Sequence, residues 1–272
     1  KKDRKDIIML KAILYYILFL AEYLITIFLG GFLVGFYMAS NIPSGSHSQQ
    51  IEGLEESIYP FIIVIGFLGI LIVWLTFGYY KFSRFSLGKV IPAAKWKAMT
   101  ICTMPILGFT MVFYSIMNLF HLDFLPKQMM EMSYLGFLPY NIIGSFIPVY
   151  IFFGAIQEEL IRCGKKRWVQ LLTLSIMMLP ACMMSVTPSG DINVDLTVLG
   201  FITLCYCSWI YGKTRSTIIL IVLYFVSNLV PFHFESKALG ILLLIAGTAL
   251  TIGGFAVLSR KLPEMLVKDE NE

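Results

Sequence analysis

Charge is scarce in this chain. Only 14% of its 272 residues are Asp, Glu, Lys or Arg, against about 25% in an ordinary soluble domain. So few charged groups cannot clothe a water-facing surface, which excludes a free globular domain in water. Histidine is scarcer still. His47, His121 and His233 all fall in or beside the polar segments between apolar runs, and no set of ligating side chains has metal spacing, so no metal site and no cofactor is expected. The five cysteines (Cys102, Cys163, Cys182, Cys205, Cys207) lie within or at the ends of apolar runs, which argues against a disulfide framework. The C-x-C pair Cys205/Cys207 reads as packing thiols. No small-residue cleavage site follows the charged stretch 1–6, so no cleaved signal peptide is expected.

What the chain has in abundance is apolar surface: 58% of residues are hydrophobic and the mean hydropathy is +0.79. In hydrocarbon every backbone polar group must be satisfied internally, so spans are helices or closed barrels. Continuous apolar runs of about 20 residues, without two-residue alternation, choose helices. Hydropathy places them at 7–38, 59–80, 98–120, 139–163, 168–187, 195–212, 216–232 and 238–259. The expected fold is all-α: a polytopic membrane helix bundle of about eight transmembrane helices, one membrane domain over residues 1–272.

Segments 1–6, 81–97, 164–167, 213–215 and 260–272 carry nearly all the lysines and arginines, while 39–58, 121–138, 188–194 and 233–237 hold only Lys127 and Lys237. Under the positive-inside rule the basic segments face the cytoplasm, so residues 1–6 and 260–272 are both placed there, in a multi-pass protein of the plasma membrane. The net charge of +4 is thus shared out between helix ends rather than gathered on one nucleic-acid-binding face. Segment 81–97 reads either as an interfacial helix along anionic headgroups or as a solvated loop. The outer loop 39–58 reads either as a contact for an external partner or as a flexible linker.

Ionisable groups at membrane depth cost about 2.5–3.5 kcal/mol each by insertion scales, so each needs a reason. Glu22 lies midway along the first run, Glu158 and Glu159 stand near the end of the fourth, and Asn228 lies in the seventh. On a helix Glu158 and Glu159 are about 100° apart, so one is expected to point into the bundle. Glu158 is four residues before Arg162, the favourable orientation for a same-face ion pair, which leaves Glu159 free to face the interior. A carboxyl there suits either general acid–base work or a hydrogen bond between helices. Tyr224 and Asn228, four apart, share a face. Asn228 reads as packing glue or as an oxyanion donor, and by depth Tyr224 and Glu159 fall at one level.

In these residues the chain resembles the CPBP family, also called Abi or CAAX-protease-like membrane proteins. Its motifs are E-E-x-x-x-R, F-x-x-x-H and H-x-x-x-N/D on three helices. The resemblance spans roughly residues 140–230. The first motif corresponds to Glu158 through Gly164, the second to Ser175 through Leu179 and Met183, and the common R-T-G-S continuation to Lys213-Thr214-Arg215-Ser216 through Tyr224 and Asn228. The resemblance implies a glutamate that activates water, with histidine and asparagine orienting it, in intramembrane endopeptidases for prenylated or leader peptides. Other members lack catalytic residues and act as membrane partners of other proteins. Here Met183 and Tyr224 replace both motif histidines, Cys163 stands at the motif arginine, and Arg162 comes one residue early.

Methionine accepts no proton, and tyrosine is a poor base at neutral pH. A linear reading also leaves Met183 about 22 Å from the inner face, poorly matched to Glu159. The expectation is a pseudoprotease that binds and positions a membrane or cell-envelope protein, with Glu158, Glu159, Tyr224 and Asn228 as a vestigial site supported by Arg162, Cys163 and Met183. The alternative is an active glutamic endopeptidase with Glu159 as base and a peptide substrate. A transporter finds no inverted repeat or paired broken helices to support it.

Overall fold

In the computed structural model the chain is all-α. The structure describes residues 10–18, 92–120, 149–183, 194–228 and 236–266, together with positions 20, 21, 24, 25, 28, 32, 36, 71 and 145. Helix α1 covers residues 10–18. Helix α2 is Lys95–Leu119, entered through a 3-10 turn at Pro92–Ala94. Helix α3 is a π-helix over Val149–Gln157 that runs on as a regular α-helix over Glu158–Arg162. Then come α4 (Arg167–Met183), α5 (Val194–Thr214), α6 (Thr217–Asn228) and α7 (Lys237–Met265).

Six of the expected runs are met by α2 to α7, and the boundaries move for a physical reason. Hydropathy ends a run at its first lysine or arginine, whereas the backbone ladder continues past it. So α2 takes in Lys95, Trp96 and Lys97, and α7 continues through Arg260 and Lys261 to Met265. Of the basic segment 81–97, residues 92–97 form the 3-10 turn and first turn of α2, and 81–91, on which the interfacial-helix and loop readings rest, lie outside the described residues. The outer loop 39–58, Glu22 and all three histidines lie outside the described residues, as does all of run 59–80 but Leu71. Helices α2 and α7 are each long and apolar enough to cross a membrane.

The most extensive packing is α2 against α7, and glycine makes it possible. A Cβ on Gly108 would sit 2.5 Å from the Thr251 nitrogen and 2.6 Å from the Gly247 oxygen. One on Gly247 would sit 2.8 Å from the Gly108 oxygen, and one on Gly254 would sit 2.9 Å from the nitrogen of Pro105. With no side chain to hold them apart, the two backbones touch, the close approach that small residues give helices in lipid. The opposite face of α7 leaves Leu242, Ile245 and Ile252 exposed.

These contacts are antiparallel, with Gly108 at Gly247 and Pro105 at Gly254. Helix α5 follows the same sense: the Tyr206 hydroxyl donates to the Cys102 carbonyl at 2.7 Å, its ring meets Phe255 edge-on at 5.8 Å, and Leu199 clusters with Tyr114 and Met117. The start of α2 and the ends of α5 and α7 therefore share one end of the bundle. The end of α3 joins them through Glu158, which meets Tyr211 and Arg215. Apart from Lys11 on α1 and Lys237 at the far end, every described lysine and arginine lies at this end, with Trp96 and Trp168 exposed among them.

Gly247→Ala is expected to cost about 1–3 kcal/mol, because the added methyl meets backbone that cannot rotate away. Gly253→Ala has nothing within 4 Å of its Cβ and should be neutral or stabilise by up to about 1 kcal/mol through helix propensity. Thermal unfolding of both variants in one detergent checks the contrast.

Candidate functional site

The site begins with an irregularity in α3. All nine residues of the π-helical stretch Val149–Gln157 are buried, and such i→i+5 stretches are rare and gather at functional sites. The stretch delivers Glu158 and Glu159 into the bundle, at 9% and 7% exposure. Both carboxyls are buried, which corrects the expectation that only one points inward. Helix α3 ends surrounded, with Glu158 meeting α5 and Glu159 lying within electrostatic reach of Tyr15 on α1.

Glu158 is engaged through both oxygens. Oε1 accepts from Arg162 Nε at 3.2 Å, the i,i+4 pair expected from the sequence. Oε2 accepts from the Tyr211 hydroxyl at 3.1 Å and from Arg215 Nη1 in a short contact. Arg162 also reaches Glu159, with Nη1 at 3.6 Å from Oε1, so Glu159 is not free of its neighbour. That distance is an ion pair without a hydrogen bond, and the Glu159 carboxyl makes no hydrogen bond among the described residues. Two buried carboxyl groups face two guanidinium groups, so the formal charges of the cluster balance.

Arg215 is placed by its backbone. It follows α5 with φ of +49°, and its N–H donates to the Tyr211 carbonyl at 2.8 Å. This left-handed position after a helix normally takes glycine and costs an L-residue roughly 1–2 kcal/mol. The next residue, Ser216, begins α6 with its Oγ accepting from the Ile219 N–H at 3.4 Å. The strained turn aims the guanidinium across α5 at Glu158. On the other side, α3 closes at Gly164 with φ of +66°. There the Gly164 N–H donates to Ile161 O at 2.8 Å and the Lys165 N–H to Leu160 O at 3.1 Å, the Schellman pattern. That four-residue turn leads directly into α4.

A second polar chain runs beside the first. Gln157 Nε2 donates to the Ser208 carbonyl at 2.9 Å and to Gln170 Oε1 at 3.3 Å, and Gln170 Nε2 donates to the Lys165 carbonyl at 2.8 Å. Gln157 Oε1 is buried with no partner among the described residues.

Of the candidate residues, Glu158, Glu159 and Arg162 come together. Cys163 is a buried thiol whose N–H donates to the Glu159 carbonyl at 2.9 Å. Tyr224 is buried in the main core on α6; the tyrosine that donates to Glu158 is Tyr211. Met183 and Asn228 end α4 and α6, and their side chains lie outside the described residues. Sequence reasoning missed Tyr211, Arg215, Gln157 and Gln170. Only Arg215 left a signal: it stands where the resembling R-T-G-S motif has glycine, the residue that a left-handed position favours. Among the described residues no group of three or more His, Cys, Asp or Glu comes together to hold a metal ion.

Compared with models of known families, with curated proteins and with solved structures, the chain matches none.

Arg215→Ala should destabilise the protein by about 3 kcal/mol, because it leaves a buried carboxylate short of a partner. Arg215→Gly loses the same ion pair but relieves the left-handed strain, and should cost about 1 kcal/mol less than the alanine variant. Equal losses in denaturant unfolding of the two variants would show that the turn carries no strain.

Proposed function

We propose that this chain is a polytopic plasma-membrane protein, crossing about eight times with residues 1–6 and 260–272 on the cytoplasmic side. In this reading it works as a CPBP-like pseudoprotease that binds and positions a membrane or cell-envelope partner. Two features of the bundle support the membrane part. The basic residues and exposed tryptophans gather at one end, the pattern of a cytoplasmic interface. The outward faces of α7 and α4 carry large apolar side chains that water would not tolerate as a contiguous surface.

The observation that carries the functional part is that both oxygens of Glu158 are engaged. A general base needs a lone pair aimed at water, and both oxygens of this carboxylate are already held by Arg162, Tyr211 and Arg215. The charge-neutral cluster is a brace between α3, α5 and the α5–α6 turn. No histidine stands at the positions that the family's motifs give to it, where this chain has Met183 and Tyr224.

One observation favours the endopeptidase as the second reading: the Glu159 carboxyl is buried and makes no hydrogen bond among the described residues. In that reading Glu159 is the base, Glu158 and Arg162 support it, and Tyr224 and Asn228 donate to the developing oxyanion.

Complementation of a deletion strain with Glu159→Gln separates the two. The substitution keeps the shape of the side chain and removes only a 3.6 Å ion pair. A scaffold is expected to rescue fully and to copurify a stoichiometric partner from gently solubilised membranes. Loss of rescue at wild-type protein levels, with a leader-type or prenylated peptide left uncut, would establish the protease instead.

A further inference from the structure

Two kinds of cation occupy the basic end. Arg162 and Arg215 are used up by the carboxyl pair. Lys165, Lys166, Arg167 and Lys213 pair with no acidic side chain among the described residues. Lys165 and Lys166 lie on the turn between α3 and α4, Arg167 opens α4 beside them, and Lys213 is held near them. Gln157 bonds both Gln170 and the Ser208 carbonyl, so these two residues stand at one level. Arg167 is then about 4.5 Å and Lys213 about 7.5 Å beyond it along their helices.

Directly below this turn, α4 presents an apolar stripe. Trp168, Leu172 and Ile176 follow at four-residue spacing and so share one face, and they are 62%, 52% and 62% exposed. The stripe runs about 12 Å down the helix. Unpaired cations above and an uncovered apolar strip below match one amphiphile in both halves: a phosphate at the turn and hydrocarbon along the stripe. Exposed tryptophan at the junction is the residue suited to headgroup depth.

We propose that the turn Lys165–Arg167 and the Trp168–Leu172–Ile176 stripe of α4 form a binding site for an anionic phospholipid. The cations take the headgroup phosphate, and an acyl chain lies along the stripe. Lys213 adds its charge from the end of α5. A soluble anion would use the cations and leave the stripe bare, whereas a zwitterionic lipid would use the stripe but bring its own ammonium with its phosphate and no net charge to balance the cations. The site rests on the membrane reading above and adds to it a chemically specific lipid at one place on the surface.

The test is lipid retention by the full chain, purified from vesicles of phosphatidylcholine mixed with phosphatidylglycerol and measured by native mass spectrometry. The wild type is expected to keep phosphatidylglycerol preferentially. A triple variant, Lys165→Gln with Lys166→Gln and Arg167→Gln, should lose at least about tenfold of that retention. A second triple variant, Lys95→Gln with Lys97→Gln and Arg260→Gln, removes equal charge from the same end away from the stripe and should keep it. Equal loss in both variants would mean attraction to charge in general and would overturn the site. So would displacement of the lipid by excess inorganic phosphate, which would make it a site for a soluble anion. Carbonate washing of the membranes separates the two levels of the argument. Release of the chain would overturn the membrane reading together with the site, while a carbonate-resistant chain without lipid preference would overturn the site alone.

Discussion

The carboxylate of Glu158 is the point on which the described bundle depends. Taking a carboxylate out of water costs several kcal/mol even after relaxation, and only close opposite charge with good hydrogen bonds compensates it. Here compensation comes from three directions: Arg162 one turn along the same helix, Tyr211 on α5, and Arg215 beyond the end of α5. Each donor belongs to a different part of the chain, so satisfying one side chain fixes the end of α3 against α5 and sets where α6 begins. Arg215 holds a conformation that glycine would adopt more cheaply. That makes sense only if its guanidinium contributes more than the backbone strain costs.

The same economy governs the apolar helices. Their association rests on close backbone packing, the mode that small residues give helices in lipid. Helices α2 and α7 meet through Gly108, Gly247 and Gly254, where backbone lies against backbone. Side-chain hydroxyls turn inward to their own helices, as Thr110 does to the Ile106 carbonyl and Thr251 to the Gly247 carbonyl. Polar groups that cross between helices among the described residues include Tyr206 to Cys102, Gln157 to Ser208 and Gln170, and the donors of Glu158. They gather towards the basic end, where Arg162 keeps part of its side chain exposed.

Function follows from how the carboxyl pair is divided. Glu158 is locked, and Glu159 keeps unused hydrogen-bonding capacity beside it. A brace and a dormant acid can coexist at one site, which is why the proposal of a scaffold and the reading as a protease part company at Glu159 alone.

Much of the helical framework was legible in the sequence, because long continuous apolar runs without two-residue alternation favour helices over strands. The i,i+4 pair of Glu158 and Arg162 was legible for a similar reason, since both residues sit on one helix and the spacing alone sets their geometry. The gathering of basic residues at one end followed from their periodic recurrence along the chain. Tertiary structure alone decided the rest. No local pattern brings Tyr211 and Arg215 to a carboxylate more than fifty positions earlier in the chain, turns α3 into a π-helix before it, or lays Gly108 against Gly247. Those outcomes depend on which helices become neighbours and at what depth, and burial of both Glu158 and Glu159 followed from α3 being enclosed on two sides rather than one.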